Sequence, residues 1–334
     1  MNKSENAVKK PHKVGRIIGR ILGILILILA VLIAFLSIRH HILSKRDREI
    51  YADAYGEYYT TEQGRKMNYT RIESDAKDVA VILPGYGCPT VRYEYDAFVK
   101  GLRNQYQFII VEPLGYGLSD GAVSERNVTN YCEELHGLLA SLQCDKYTLI
   151  AHSLGGLYSL YYANQYPDEV QGFIGIDASV PHQCDADQWI AKPEHTYLLY
   201  KIMRPLLYGS GINRLLSELS FEQTAAQIPT LSEDDKRIAK AIYCAAGIND
   251  TLMDEMRMLA DNMCECYDMK FPESVPVLYV LAKDNTVTIP EWEQYHKDLV
   301  THPDSRVTVI EGAHYLHFTS LQRLTDEITD WHNQ

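Results

Sequence analysis

The sequence predicts an α/β domain with a mainly parallel sheet covered by helices on both faces, preceded by one membrane-spanning helix. Three observations lead there. Short apolar, β-branched runs alternate with helical patterns along most of the chain. A long stretch, residues 178–273, breaks that rhythm with helical patterns alone. Near the N-terminus stands an apolar run bracketed by basic residues. Strands separated by helices cannot pair as hairpins, so they pair in parallel, with the helices covering the sheet.

The apolar run covers residues 17–38 and is interrupted only by Arg20. At about 1.5 Å per residue, its 22 residues make a helix of about 33 Å, enough for a hydrocarbon core of ~30 Å. Arg20 lies near one end, where its side chain can reach the headgroups. A cleaved leader has a shorter apolar core and ends at a small-x-small site. Here the run ends Ser37-Ile38-Arg39-His40-His41. A buried core helix would carry a polar face, and this one has none. Counting Arg20, six Lys/Arg lie on its N-terminal side and four follow it closely. The positive-inside rule therefore predicts a single-pass protein with its N-terminus in the cytoplasm and its body on the extracytoplasmic side.

The body begins with a hairpin predicted from residues 57–61 and 66–70 around Gln63-Gly64. Buried strands follow at 79–83, 108–111, 147–151 and 173–176, with helices at 93–103, 125–142 and 155–166 between them. In the second helix Val128, Cys132, Leu135, Leu138, Leu139 and Leu142 recur at helical spacing. After residue 273 the alternation resumes with strands at 275–281 and 306–310 and helices near 290–299 and 315–331. The interruption is too long for a bare loop and is predicted to be a helical cap over the sheet's C-terminal edge. The domain plan is thus an anchor segment, 1–48, and a capped α/β domain, 49–334. An apolar stripe over 197–216 either lines an acyl pocket or packs on the sheet.

The 334 residues are 46% hydrophobic and 23% charged, ordinary for a chain that buries a large core. Residues 1–48 hold ten Lys/Arg against Glu5 and Asp47, a net of +8, which leaves the body at −20. So acidic a body argues against a nucleic-acid partner, which needs a basic face to meet phosphates. Seven cysteines leave at least one unpaired, and Cys264-Glu265-Cys266 has no nearby Cys/His pair to complete a metal site. No phosphate loop, dinucleotide fingerprint or ligand cluster is present, so no cofactor or metal is expected.

The chemistry concentrates at predicted strand ends. Ala151-His152-Ser153-Leu154-Gly155 joins a buried strand to a helix and resembles the G-x-S-x-G nucleophile elbow, with Ala151 replacing the first Gly. Small residues two positions either side of Ser153 suit a sharp turn that lifts the hydroxyl clear of the sheet. Four further segments follow in order. Leu83-Pro84-Gly85-Tyr86-Gly87 resembles an oxyanion loop, Glu112-Pro113-Leu114-Gly115-Tyr116-Gly117 the loop after the fourth strand, Leu281-Ala282-Lys283-Asp284-Asn285 an acid loop, and Gly312-Ala313-His314-Tyr315 a histidine loop. Over residues 57–331 the chain resembles the α/β-hydrolase superfamily, specifically capped serine hydrolases of bacterial type.

That resemblance implies roles. Ser153 is the nucleophile, His314 the base and Asp284 the orienting acid, with the N–H groups of Leu154 and Tyr86 forming the oxyanion hole. Asp177, which ends Ile174-Gly175-Ile176-Asp177, is the alternative acid. Asp284 is preferred for its polar loop and its short return to the strand before His314. His317 is a rival base three residues past His314, His152 a structural or pocket-lining residue, and Glu112 a loop organiser. The implied reaction is carboxylic ester cleavage on a small or lipid-like substrate. Amide or peptide hydrolysis by the same triad is the alternative, and a non-catalytic binding module the reading from another class.

Overall fold

In a computed structural model, the described residues are 12–52, 54–186, 197–199, 201–204, 209–245, 247 and 249–334. Tyr200, Leu206 and Leu207 of the apolar stripe lie outside them.

Eight strands form one sheet. They are β1 (Glu57–Thr60), β2 (Lys66–Ile72), β3 (Asp78–Leu83), β4 (Tyr106–Glu112), β5 (Tyr147–His152), β6 (Val170–Ile176), β7 (Val277–Ala282) and β8 (Arg306–Ile310). Their order is β1-β2-β4-β3-β5-β6-β7-β8. β1 and β2 pair antiparallel, as does β2 with β4; every other pair is parallel. The buried strands read as continuous apolar runs because both faces are covered. Leu149 and Leu281 enter the core on one face, and Ile150 and Val280 that on the other. The predicted helix at 93–103 is two short ones, Val91–Glu94 and Asp96–Gly101, with Tyr95 between them at φ −94, ψ 7. The last helix likewise breaks at Ser320, into Leu316–Thr319 and Leu321–His332.

The cap is inserted between β6 and β7 and includes helices Ile212–Ala226, Glu233–Ala245 and Asp250–Glu265. Asn249 caps the last of these, its side chain accepting the N–H groups of Thr251 and Leu252. Fully buried Glu255 ties this helix to the sheet layer, accepting the hydroxyls of Tyr116 and Tyr158 at 2.8 Å each.

The N-terminal helix, α1, runs from His12 to Tyr51. From Gly15 on it is long and apolar enough to cross a membrane, and none of its apolar window is buried. Its C-terminal part docks on the cap. Arg214 reaches Asp47 at 2.6 Å and Glu218 at 3.0 Å, and Arg39 reaches Glu218 at 2.7 Å. Ser37 donates to the Gly209 carbonyl. A Cβ on Gly211, at φ +74, would stand 2.6 Å from the Leu36 carbonyl oxygen, so the close approach requires glycine. Arg214 and Asp47 are both buried, and removing one leaves the other charge uncompensated. Arg214→Met is therefore expected to destabilise the docked helix by on the order of 3 kcal/mol, read as a lower Tm of the detergent-solubilised chain. An unchanged Tm would mean the pair adds nothing to the docking.

Candidate active site

The elbow after β5 places the nucleophile candidate. Ser153 has φ +49, a strained left-handed backbone that its surroundings must hold in place. The neighbours explain why only small residues fit. A Cβ on Gly155 would come within 2.8 Å of the Pro84 carbonyl oxygen and 3.3 Å of the Ala151 Cβ, and one on Gly156 within 2.5 Å of the Ala178 Cβ. Ala151 in the first glycine position of the elbow is tolerated because it faces a residue with no side chain.

Around Ser153 the chain converges. His314, in the loop after β8, sets Nε2 3.0 Å from Ser153 Oγ. Its Nδ1 lies 2.6 Å from Asp177 Oδ2. With Nδ1–H donating to the carboxylate, Nε2 keeps a lone pair for the serine proton. Asp177 stands at the end of β6, with φ +41 and no exposed surface. Three more donors meet it: the Ala282 N–H and the Trp292 indole at 3.0 Å on Oδ1, and the Asn285 amide at 2.6 Å on Oδ2. A buried carboxylate with every lone-pair direction in use is held fixed.

Asp284 does not occupy this position. It lies exposed in the first turn of the helix Lys283–Thr288. Its backbone N–H donates to the Gly312 carbonyl at 3.3 Å, and its carbonyl accepts the Thr288 hydroxyl at 3.0 Å. The loop after β7 delivers the next residue, Asn285, to the imidazole, where it supports Asp177. The physical reason is that a carboxylate beside Lys283 and Asn285 is easily solvated, whereas one ending the apolar run of β6 must find partners. That burial was the available signal for Asp177.

The other candidates take distinct places. Leu154 directly follows Ser153 and precedes the helix Gly155–Gln165, so its N–H belongs to the helix's first turn. Tyr86 follows Gly85, where a Cβ would stand 3.0 Å from that of Ser153. Both loops thus border the nucleophile. The Tyr86 hydroxyl donates to the Leu252 carbonyl at 2.8 Å, linking this loop to the cap. His317 does not approach Ser153; its Nε2 lies 3.2 Å from Glu94 Oε1. Buried Glu112 accepts from Tyr55 and from the Leu118 N–H, each at 2.7 Å, and a Cβ on Gly117 would collide with it at 2.1 Å.

His152 is fully buried, and its Nε2 donates to the His314 carbonyl at 3.1 Å, steadying the histidine loop. Burial, with the His317 and His314 rings beside it, holds its pKa well below 6.5. A histidine depressed in this way binds its proton less readily folded than unfolded. Its contribution to stability is full above pH 6.5 and is lost as the pH falls below it. Tm is expected to decline from pH 6.5 downward, and His152→Gln to flatten that decline. An identical slope in the variant would assign it to other groups.

A cavity of about 560 Å³ opens over Ser153. It is lined by the elbow, by the 85–89 loop, by Thr224, Gln227 and Tyr243 of the cap, and by Tyr315 and Phe318. Glu94 also lines it, a residue that sequence reasoning missed because nothing in its neighbourhood marks a motif.

The sheet order, the strained serine elbow and the Ser–His–Asp contacts now stand together with a family match. Residues 81–200 match the family model described as alpha/beta hydrolase fold. This chain is an α/β-hydrolase-fold protein. Among curated proteins, the chain is similar to the uncharacterized protein YbdG of Bacillus subtilis. It is 24% identical over 229 residues, 66% of either chain. Epoxide hydrolase 1 of Caenorhabditis elegans is 27% identical over 135 residues, 39% of this chain and 32% of its own. The matched stretches thus span two thirds or less of these relatives' length. Among solved structures, Cfl2 of Burkholderia cenocepacia superposes with a TM-score of 0.64 at 18% identity, covering 82% of this chain and 94% of its own. At that identity the likeness is one of fold.

Proposed function

We propose that the protein is a membrane-anchored serine hydrolase that cleaves carboxylic esters through an acyl-enzyme. The observation that carries this reading is His314 bridging Ser153 at 3.0 Å and Asp177 at 2.6 Å. In the first half-reaction the Ser153 oxygen attacks the substrate carbonyl and passes its proton to His314 Nε2. The imidazolium so formed is stabilised by Asp177 and returns the proton to the leaving alkoxide. Water, deprotonated by the same imidazole, then releases the acid and restores Ser153. The N–H groups of Leu154 and Tyr86 take the oxyanion, where loss of one donor costs on the order of 3 kcal/mol in barrier.

The nucleophile's chemistry separates this reading from the activity named for the epoxide hydrolase relative. A serine that opened an epoxide would form an ether, which water does not cleave under mild conditions. A serine that attacks an ester forms another ester, which water does cleave. Acyl transfer is therefore the turnover that Ser153 can complete.

The exposed apolar length of α1 and its flanking charges support an uncleaved anchor with the body outside the cytoplasm. The full chain is then expected to fractionate with membranes, and its body to be digested by protease added to spheroplasts. A soluble, shortened product would instead mean a leader.

The solubilised chain is expected to hydrolyse p-nitrophenyl esters, and acid quenching during turnover to trap the acyl mass on the peptide carrying Ser153. Turnover of amides with none of esters would move the reading to amide hydrolysis. A folded chain with no turnover and no reaction at Ser153 would leave a binding module.

A further inference from the structure

Four aromatic side chains, Tyr86, Tyr243, Tyr315 and Phe318, line the cavity over Ser153 together with one carboxylate, Glu94. Among the described lining residues there is no Lys or Arg. Glu94 is held from two sides. The Cys88 thiol donates to Oε2 at 3.0 Å, and His317 Nε2 donates to Oε1 at 3.2 Å. The His317 side chain is fully buried, and its Nδ1 has no hydrogen-bond partner among the described residues. The His317 ring orients Glu94. The Cys88 thiol is pushed up by burial and by the carboxylate, so it stays a neutral donor.

A negative group at the wall of an aromatic cavity is a costly place for an anion and a favourable one for a cation. Aromatic faces attract ammonium groups through their quadrupoles, and a carboxylate with no Lys or Arg among the described lining residues adds a direct charge. The body's net charge of −20 adds a long-range field of the same sign, which raises the encounter rate of cations. On these grounds we infer that the site takes an ester substrate bearing an ammonium group, which Glu94 and the aromatic wall receive while Ser153 attacks the carbonyl. The inference rests on the serine-hydrolase reading above and narrows its substrate class.

The test compares two esters of one acid on the full chain in detergent: a choline ester and its neutral isostere, in which carbon replaces the quaternary nitrogen. The wild type is expected to favour the cationic ester in kcat/KM by about tenfold or more, a discrimination in the range of desolvated cation–π and ion pairing. Glu94→Gln is expected to collapse that ratio, whatever it does to either rate alone. A wild-type ratio near one, or a ratio unchanged in the variant, would overturn the inference while leaving the esterase standing. A second measurement does not depend on turnover. Calorimetric titration with tetramethylammonium chloride should show saturable binding to the wild type that Glu94→Gln weakens. If neither ester is cleaved and Ser153 is unreactive, the serine-hydrolase reading falls. The titration then decides the cavity: saturable, Glu94-dependent binding supports the cation site, and none in either protein overturns it.

Discussion

Ser153→Ala is expected to lower kcat by about 10⁶-fold, below the detection of an ordinary assay. The change removes one oxygen, that of the hydroxyl placed 3.0 Å from His314 Nε2. Alanine at φ +49 carries the same Cβ strain as serine, so Tm should move little. Residual hydrolysis within a hundredfold of wild type, by a folded variant, would show that another group attacks the carbonyl. Measuring kcat and Tm on the same preparation separates loss of chemistry from loss of fold.

The second large effect divides two carboxylates. Asp177→Asn is expected to cost up to ~10⁴-fold in kcat, because an amide can donate to His314 Nδ1 and trap the tautomer with its proton on Nε2. That tautomer cannot accept the serine proton. Asp284→Asn, an exposed change on a helix turn, is expected to stay within about twofold of wild type. Ala282, Trp292 and Asn285 also donate to Asp177, so its variant loses some stability. The informative readout is therefore kcat well below Tm. The opposite ranking of the two variants would return the acid to the loop after β7.

The contrast between these two residues shows what was legible in the sequence. The strand–helix rhythm, the cap between β6 and β7 and the apolar α1 follow from periodicity and run length, which act locally. The serine elbow is legible for the same reason: Ala151, Gly155 and Gly156 report steric crowding within one turn. The acid is not local. Asp177 and Asp284 both end strands, and the choice depends on which side chain the sheet points at His314. β5 and β6 are neighbours in the sheet, so Asp177 emerges one strand from Ser153, while Asp284 emerges two strands away and turns outward. A resemblance in loop composition favours Asp284; the cost of burying an unpaired carboxylate at the end of Ile174-Gly175-Ile176 favours Asp177. The cost of burial is what matches the geometry. Glu94 illustrates a further limit. It sits in a short helix with no motif around it, and only tertiary packing brings it to the cavity wall and His317 against it. The docking of α1 on the cap is similarly invisible along the chain, since Asp47 and Arg214 are 167 residues apart.

The central claim is that Ser153 is an activated nucleophile whose reactivity depends on His314 and Asp177. Its most direct test is the rate of covalent labelling by a fluorophosphonate on the solubilised full chain, with the modified peptide located by mass spectrometry. The wild type should carry one adduct, on the peptide containing Ser153. Asp284→Asn should label at the wild-type rate, and Asp177→Asn and His314→Ala far more slowly. Labelling at another residue, or a Ser153 rate indifferent to both Asp177 and His314, would contradict the account.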